Sequence, residues 1–362
     1  MTPIRSALSA LAMSAAVIAL FAAPAQADQR DLETSFDDAF GTELRAPTTF
    51  EALYETRFEQ QIADLSDGSK GRIGVYAVDL TSGEEISVLA DMRFPMASTS
   101  KVAVAATFLA GVDEGKFSLT NEYPLLIPIR SKKFSSPLAP VKHGNYVPAY
   151  ELIDLMIAKS CNSCTDALLK VVGGPDAVNG WMRDVAEIEE FELTRTIATL
   201  VRDDGEFDPA THVDTRDSAT PRAMGQLLAG LYQGRWLSDN SRTVLIEAME
   251  KTTTGKRRMN AALPEQAGLA HKTGTLSRTA SDIGIFHLAD GRSVAAAIYV
   301  TGQSANLVDE RRNKRAARKR RDERIAAITR ALYTGFSAKA GLLDDPTSGW
   351  TSAPTEAPEN GG

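Results

Sequence analysis

At 362 residues, 43% hydrophobic and 24% charged, the chain has the composition of a globular protein able to bury a large core. The formal net charge of -7 argues against a nucleic-acid partner, because phosphate binding needs a clustered basic surface. The histidines, His143, His212, His271 and His287, are scattered without ligand spacing, so no metal and no other cofactor is expected.

In chain order, Arg5 precedes an alanine-rich apolar stretch over residues 7–23, and Ala25-Gln26-Ala27 supplies small residues ahead of acidic Asp28 and Asp31. That order reads as a Sec-type signal peptide over residues 1–27, cleaved after Ala27. A membrane anchor is the rival reading, since the run approaches bilayer-spanning length. No cysteine precedes Cys161, which closes the lipoprotein route. The expectation is a periplasmic or secreted monomer with no membrane span. A flexible lead-in over 28–49, one domain over 50–337 and a disordered tail over 338–362, rich in Pro, Gly, Ser, Thr and Glu, complete the division.

Phe50, Leu53, Tyr54, Phe58, Ile62 and Leu65 recur at helical spacing, and residues 72–80 then alternate like a strand. Thr81-Ser82-Gly83 turns the chain into a return strand over 86–89. From Met96 to about Met249 the periodic segments read as helix, broken by long polar loops. Residues 267–276, 281–287 and 293–300 read as strands, and Ile325, Ile328 and Leu332 mark a closing helix. Strands at both ends with helices between them imply an α/β, two-lobed fold: one sheet built from the two chain ends, flanked by helices, with an inserted all-α lobe. The site would lie between the lobes.

The sharpest local signal is Ser98-Thr99-Ser100-Lys101 followed by an apolar helical run over 102–109. Positions i and i+3 of a helix share a face, so Lys101 projects beside Ser98 and can take its proton if the lysine is partly desolvated. Free N–H groups at a helix start would serve an oxyanion. Alone the pattern is weak. Ser160-Cys161-Asn162 between two helical segments, and His271-Lys272-Thr273-Gly274 in a strand, complete the ordered set S-x-x-K, S-x-N and K-T-G.

With that set the chain resembles the class A serine β-lactamases, from about Phe50 to Tyr333. Phe94-Pro95-Met96-Ala97 resembles the family's approach to its serine, and residues 216–224 resemble the R-D-x-x-T-P-x-A-M end of its omega loop. The resemblance implies that Ser98 attacks the lactam carbonyl and that its N–H and that of Thr275 form the oxyanion hole. Ser160 would protonate the departing nitrogen while Lys272 holds its hydroxyl. Asn162 would bind the substrate's side-chain amide, and Thr273 and Thr275, flanking Gly274, its carboxylate. Arg258, with Arg278 as a second candidate, would supply a carboxylate-binding arginine. Counting back from Asp217 puts Arg202 at the loop's salt-bridge partner, Asp204 two residues on at the family's water-activating glutamate, and Asp208 at its asparagine. Aspartate would set that carboxylate back by about 1.5 Å, and a displacement of about 1 Å can cost about a hundredfold. Gly205 stands where the family has proline, and Glu206 is an alternative acid.

Cys161 and Cys164 admit three readings, of which two small buried thiols are favoured over a disulfide or a redox pair. Residues 311–324, including Arg311, Arg312, Lys314, Arg315, Arg318, Lys319, Arg320 and Arg321, read as a solvated helix end, with contact to an anionic envelope surface as the functional alternative. A serine β-lactamase acting on penicillins and cephalosporins is expected. The alternatives are a penicillin-binding-protein-like D,D-peptidase or acyltransferase on peptidoglycan stems, a non-hydrolytic envelope-binding relative, and a hydrolase of another ester or amide.

Overall fold

The computed structural model describes residues 56–339, all within one compact unit. The expected signal peptide and lead-in lie outside the described residues, as does the tail beyond 339. Thr56 begins α1 (Arg57–Leu65) with a capping box: its hydroxyl accepts the Glu59 N–H while the Glu59 carboxylate accepts its own. The sheet has five strands, ordered β2-β1-β10-β9-β8, with β1 at Ile73–Asp79, β2 at Glu85–Val88, β8 at Ala270–Leu276, β9 at Thr279–His287 and β10 at Ser293–Thr301. The first strand pairs antiparallel with the last, Ile73 opposite Val300, so the two chain ends close one sheet as the sequence implied.

Every residue of β1 and β10 is buried, because both faces of the sheet are covered. The side-chain period of two divides them. Ile73, Val75, Ala77, Ile298 and Val300 face a layer with Phe58 and Ile62 of α1 and with Ile325, Ile328 and Leu332 of α10 (Lys314–Lys339). Tyr76, Val78, Ala297 and Tyr299 face the inserted helical lobe. There α2 (Lys101–Asp113) is apolar nearly all round and therefore runs through the core, packed by α3 (Ala149–Ala158), α4 (Asn162–Val172) and α5 (Pro175–Asp184). α7 (Pro221–Tyr232) crosses the sheet, starting at Thr220, whose hydroxyl accepts the Ala223 N–H. α8 (Asp239–Glu250) leads back toward β8.

Three expectations are corrected. The stretch around Tyr123–Tyr146 is a two-stranded hairpin, β4 (Glu122–Pro128) with β5 (Val141–Pro148), rather than part of a purely helical lobe. Its strands carry few buried side chains, so periodicity was weak. The closing helix α10 reaches Lys339, past the expected start of the tail at 338. The basic run is not a simple solvated end: Arg321 is buried in a two-pronged pair with Glu310, and Arg320 and Arg324 donate to the carbonyls of Gln303 and Leu65. Among the described residues no helix is long and apolar enough to cross a membrane.

Candidate active site

Ser98 is placed by a strained turn. β3 (Phe94–Pro95) pairs with β7 (Ser218–Ala219), which also pairs with β6 (Phe191–Glu192), and the Met96 N–H donates to the Asp217 carbonyl at 3.0 Å. The chain then passes through Ala97 at φ 51°, a left-handed conformation rare for non-glycine residues, into the 3-10 turn Ala97–Ser100 and α2. Strand β8 presses against this turn. A Cβ on Gly274 would lie 2.7 Å from the Met96 carbonyl oxygen and 3.1 Å from the Ala97 Cβ. Only glycine permits that approach, so Gly274 serves by bringing strand and Ser98 turn together.

One turn beyond Ser98, Lys101 is fully buried. Its ammonium donates to the Ser160 carbonyl at 2.8 Å, the Ser160 hydroxyl at 3.2 Å and Asn162 Oδ1 at 2.7 Å. Lys272 reaches the same hydroxyl from β8, with Nζ 3.1 Å from Ser160 Oγ and 3.0 Å from the Thr273 carbonyl oxygen. Two lysines thus converge on one hydroxyl. Burial, reinforced by the Lys272 charge, pushes Lys101 well below the usual lysine range, against the pull of Asp166. Burial likewise pushes Lys272 down to about 7, with Asp282 opposing and Arg258 adding to the shift. Ser160 itself sits at φ 59°, a second left-handed residue in the cluster.

Cys161 caps α4, and it is joined to Cys164 in a disulfide. The expected pair of buried thiols is therefore corrected: the bond closes the first turn of the helix that carries Asn162, directly between the two residues that hold Lys101. Four residues beyond Asn162, Asp166 lies on the same helix face, buried, its two oxygens accepting the N–H groups of Ile197 at 2.7 Å and Ala198 at 2.9 Å. Burial raises its carboxyl to about 6, against those N–H donors and Lys101. Sequence reasoning passed over Asp166; its i+4 spacing from Asn162 was the available signal.

Beyond Lys272, Thr273 shares a 2.6 Å hydroxyl contact with Thr254, and the Thr275 hydroxyl accepts from Arg258 Nη2 at 2.7 Å. Arg258 is buried and also donates to Asp322 at 2.7 Å and to the Gly274 and Ser281 carbonyls at 2.8 Å. It backs the strand and polarises Thr275. Arg278 does not join it: its Nε is committed to Asp208 at 2.8 Å. His271 lies within β8, its Nδ1 2.8 Å from Asp282 Oδ1, as a strand residue.

The loop before β7 departs from expectation. Asp217 pairs with Arg195 and accepts the N–H groups of Thr194 at 2.8 Å and Arg195 at 3.0 Å. Arg202 instead pairs with Asp203 at the end of α6 (Ile197–Asp203). The Asp204 carboxylate accepts the Ser277 N–H at 2.9 Å, its carbonyl accepts from Lys133, and burial raises its carboxyl above the usual range. Glu206 is held by Arg216 at 2.7 Å. Neither acid hydrogen-bonds Lys101, Ser160 or Lys272.

A family model described as a β-lactamase enzyme family matches residues 57–336. The chain belongs to the class A serine β-lactamases. It is 30% identical over 262 residues to β-lactamase CTX-M-4 of Salmonella typhimurium, covering 72% of this chain and 86% of that one. To the extended-spectrum β-lactamase PER-1 of Pseudomonas aeruginosa it is 29% identical, covering 67% and 79%. A β-lactamase structure from Chitinophaga pinensis aligns with TM-score 0.65 at 26% identity, over 78% of this chain and all (100%) of that one. An ancestral class A β-lactamase aligns with TM-score 0.63 at 30% identity, over 77% and 100%.

Membership in the β-lactamase family gives the loop correction its meaning. The family's glutamate stands two residues after the arginine that pairs with the loop's closing aspartate. Here that arginine is Arg195 rather than Arg202, and two residues on stands Ile197, buried at the start of α6. The expected equivalences of Asp204 with the glutamate and Asp208 with the asparagine are therefore corrected. Sequence counting failed because it assumed a gapless loop, and two Arg-x-Asp/Ile registers were open until the ion pair chose one.

Proposed function

We propose that this chain is a serine β-lactamase that opens the lactam amide of penicillins and cephalosporins through an acyl-enzyme on Ser98. The observation that carries this is the convergence of Lys101 and Lys272 on Ser160, with both ammoniums pushed toward neutrality by burial. A neutral Lys101 amine takes the Ser98 hydroxyl proton as Oγ bonds to the lactam carbon. The oxyanion is received by the N–H groups of Ser98 and Thr275. The proton then reaches the departing nitrogen through Ser160, steadied by Lys272. Asn162 takes the acylamino amide, and Thr273 and Thr275, the latter held by Arg258, take the ring carboxylate. With Asp204 on Ser277, Lys101 is also the base available to the hydrolytic water. The chain works as a monomer in the periplasm or outside the cell, exported by its residues 1–27.

The test is mass spectrometry of the protein mixed with benzylpenicillin, beside an absorbance assay of hydrolysis. A transient adduct on Ser98 with steady loss of substrate is expected. One observation favours a second reading. Ile197 where the family keeps a carboxylate suits slow deacylation, as in a penicillin-binding-protein-like D,D-peptidase on peptidoglycan stems. A persistent adduct would establish it, and no adduct would leave a non-hydrolytic envelope-binding relative.

A further inference from the structure

Beside the catalytic strand lies an open cavity of about 470 Å³, lined by the β8–β9 turn from Thr275 to Arg278, the loop at 204–208 and the cationic helices α9 (Leu307–Arg312) and α10. Its acids are already engaged. Glu310 is paired with Arg321, Asp208 with Arg278 and Glu206 with Arg216, while Asp204 holds the Ser277 N–H. Three of its cations are not. Arg311, Lys314 and Arg318 line the cavity, are exposed, and make no ion pair or hydrogen bond with a described residue. They recur at i, i+3 and i+7 across the junction of the two helices. Buried Arg278 adds a guanidinium nitrogen, Nη1, that has no hydrogen-bond partner and lies 3.9 Å from Glu310. A wall with surplus positive charge therefore shares this cavity with Thr275.

The chemistry of the substrate says what reaches this wall. This step rests on the β-lactamase reading above. With the lactam oxygen between Ser98 and Thr275, the ring nitrogen must face Ser160 and Lys272. The carbon on the other side of the carbonyl bears the acylamino group, which is thereby directed past Thr275 toward Leu276, Ser277 and the cavity. We propose that Arg311, Lys314 and Arg318 form a subsite for a second anionic group, a carboxylate or sulfonate carried on the acylamino side chain, so that dianionic β-lactams are preferred substrates. Asp204 is the one lining carboxylate without a cationic side chain hydrogen-bonded to its carboxylate oxygens, and its position on the Ser277 N–H keeps it on the turn rather than on the helix wall.

The test compares benzylpenicillin with its analogue carboxylated on the side-chain carbon, in the wild-type protein and in R311Q/K314Q/R318Q. The rate of Ser98 acylation is read by mass spectrometry, and KM and kcat where turnover occurs. Wild-type protein is expected to acylate faster at low concentration with the carboxylated compound. The triple variant is expected to lose about tenfold in that preference, through KM rather than kcat, while benzylpenicillin stays within about twofold. The preference should also shrink with added salt, since the three cations are solvent-exposed. Unchanged benzylpenicillin kinetics report that the variant folds; the single variant K314E supplies the same comparison should the triple not fold. Equal acylation ratios in wild type and variant would overturn the subsite alone. Acylation by neither compound would overturn the β-lactamase reading and the subsite with it.

Discussion

At the residue scale the chemistry turns on two lysines that cannot both carry a proton at ease. The form of Lys101 that accepts the Ser98 proton is the neutral amine, so reactivity is present above the pKa and lost as pH falls through it. Burial and the neighbouring Lys272 charge push Lys101 well below the usual lysine range, so acylation should hold through neutral pH and be lost only as the pH falls far enough for Lys101 to take up the pair's second proton. Stopped-flow acylation followed to low pH in wild type and in Asp166→Asn measures this limb; a limb that does not move between the two would remove Lys101 as the base. Asp166 supplies the opposite sign. Its charge raises the Lys101 pKa, so Asp166→Asn, which keeps an acceptor for one of its two N–H donors, should move the acidic limb to lower pH. Lys101→Met should slow acylation by about a hundredfold or more. Asp204→Asn tests the corrected loop: with its carboxylate on Ser277, deacylation should change by no more than about threefold, and a hundredfold loss would restore it as the water-activating acid.

At the element scale, α4 carries a disulfide across its first turn, beside the Thr165 N–H and hydroxyl that donate to the Cys161 carbonyl. Closing so short a loop is worth about 2 kcal/mol in the chain-entropy account. Mild reduction, or the pair Cys161→Ser with Cys164→Ser, should lower the melting temperature by several degrees. Because the bond starts at Cys161, between Ser160 and Asn162, the same treatment should slow acylation more than it weakens substrate binding. Parallel thermal melts and acylation rates with and without reductant separate the two. The S-x-x-K helix was legible as an element because its apolar run has no polar face to show. The β4–β5 hairpin was not, since its strands are mostly solvent-exposed and their alternation buries little.

At the scale of the whole molecule, Arg258 ties the C-terminal helix to the catalytic strand. It pairs with Asp322 of α10 and holds the Gly274 carbonyl and the Thr275 hydroxyl of β8. Arg258→Ala would leave Asp322 without its partner in a mostly buried setting and cost about 3 kcal/mol or more. The expected readouts are a lower denaturation midpoint and a raised KM for lactams bearing the ring carboxylate. Arg258 could be nominated from sequence as a carboxylate-binding arginine. That it acts from behind the strand, through Thr275, needed the position of α10.

Sequence alone determined the family and the fold class and nominated the candidate cluster, because three short motifs in fixed order, S-x-x-K, S-x-N and K-T-G, each demand particular side chains at local spacing. It also implied that β1 and β10 meet, since strands confined to the chain ends have few other partners. Contacts between distant segments were decided only by tertiary structure. Whether Asp217 pairs with Arg195 or Arg202 depends on how a long loop is folded back, and both arginines satisfy the local pattern. The choice moved Ile197 into the glutamate's place and Asp204 onto the Ser277 N–H. The joining of Cys161 to Cys164, the approach of Asp166 to Lys101 and the turning of Arg311, Lys314 and Arg318 toward the β8–β9 turn follow the same rule. Local spacing names a residue's chemistry, and the packing of remote elements sets which partner it meets.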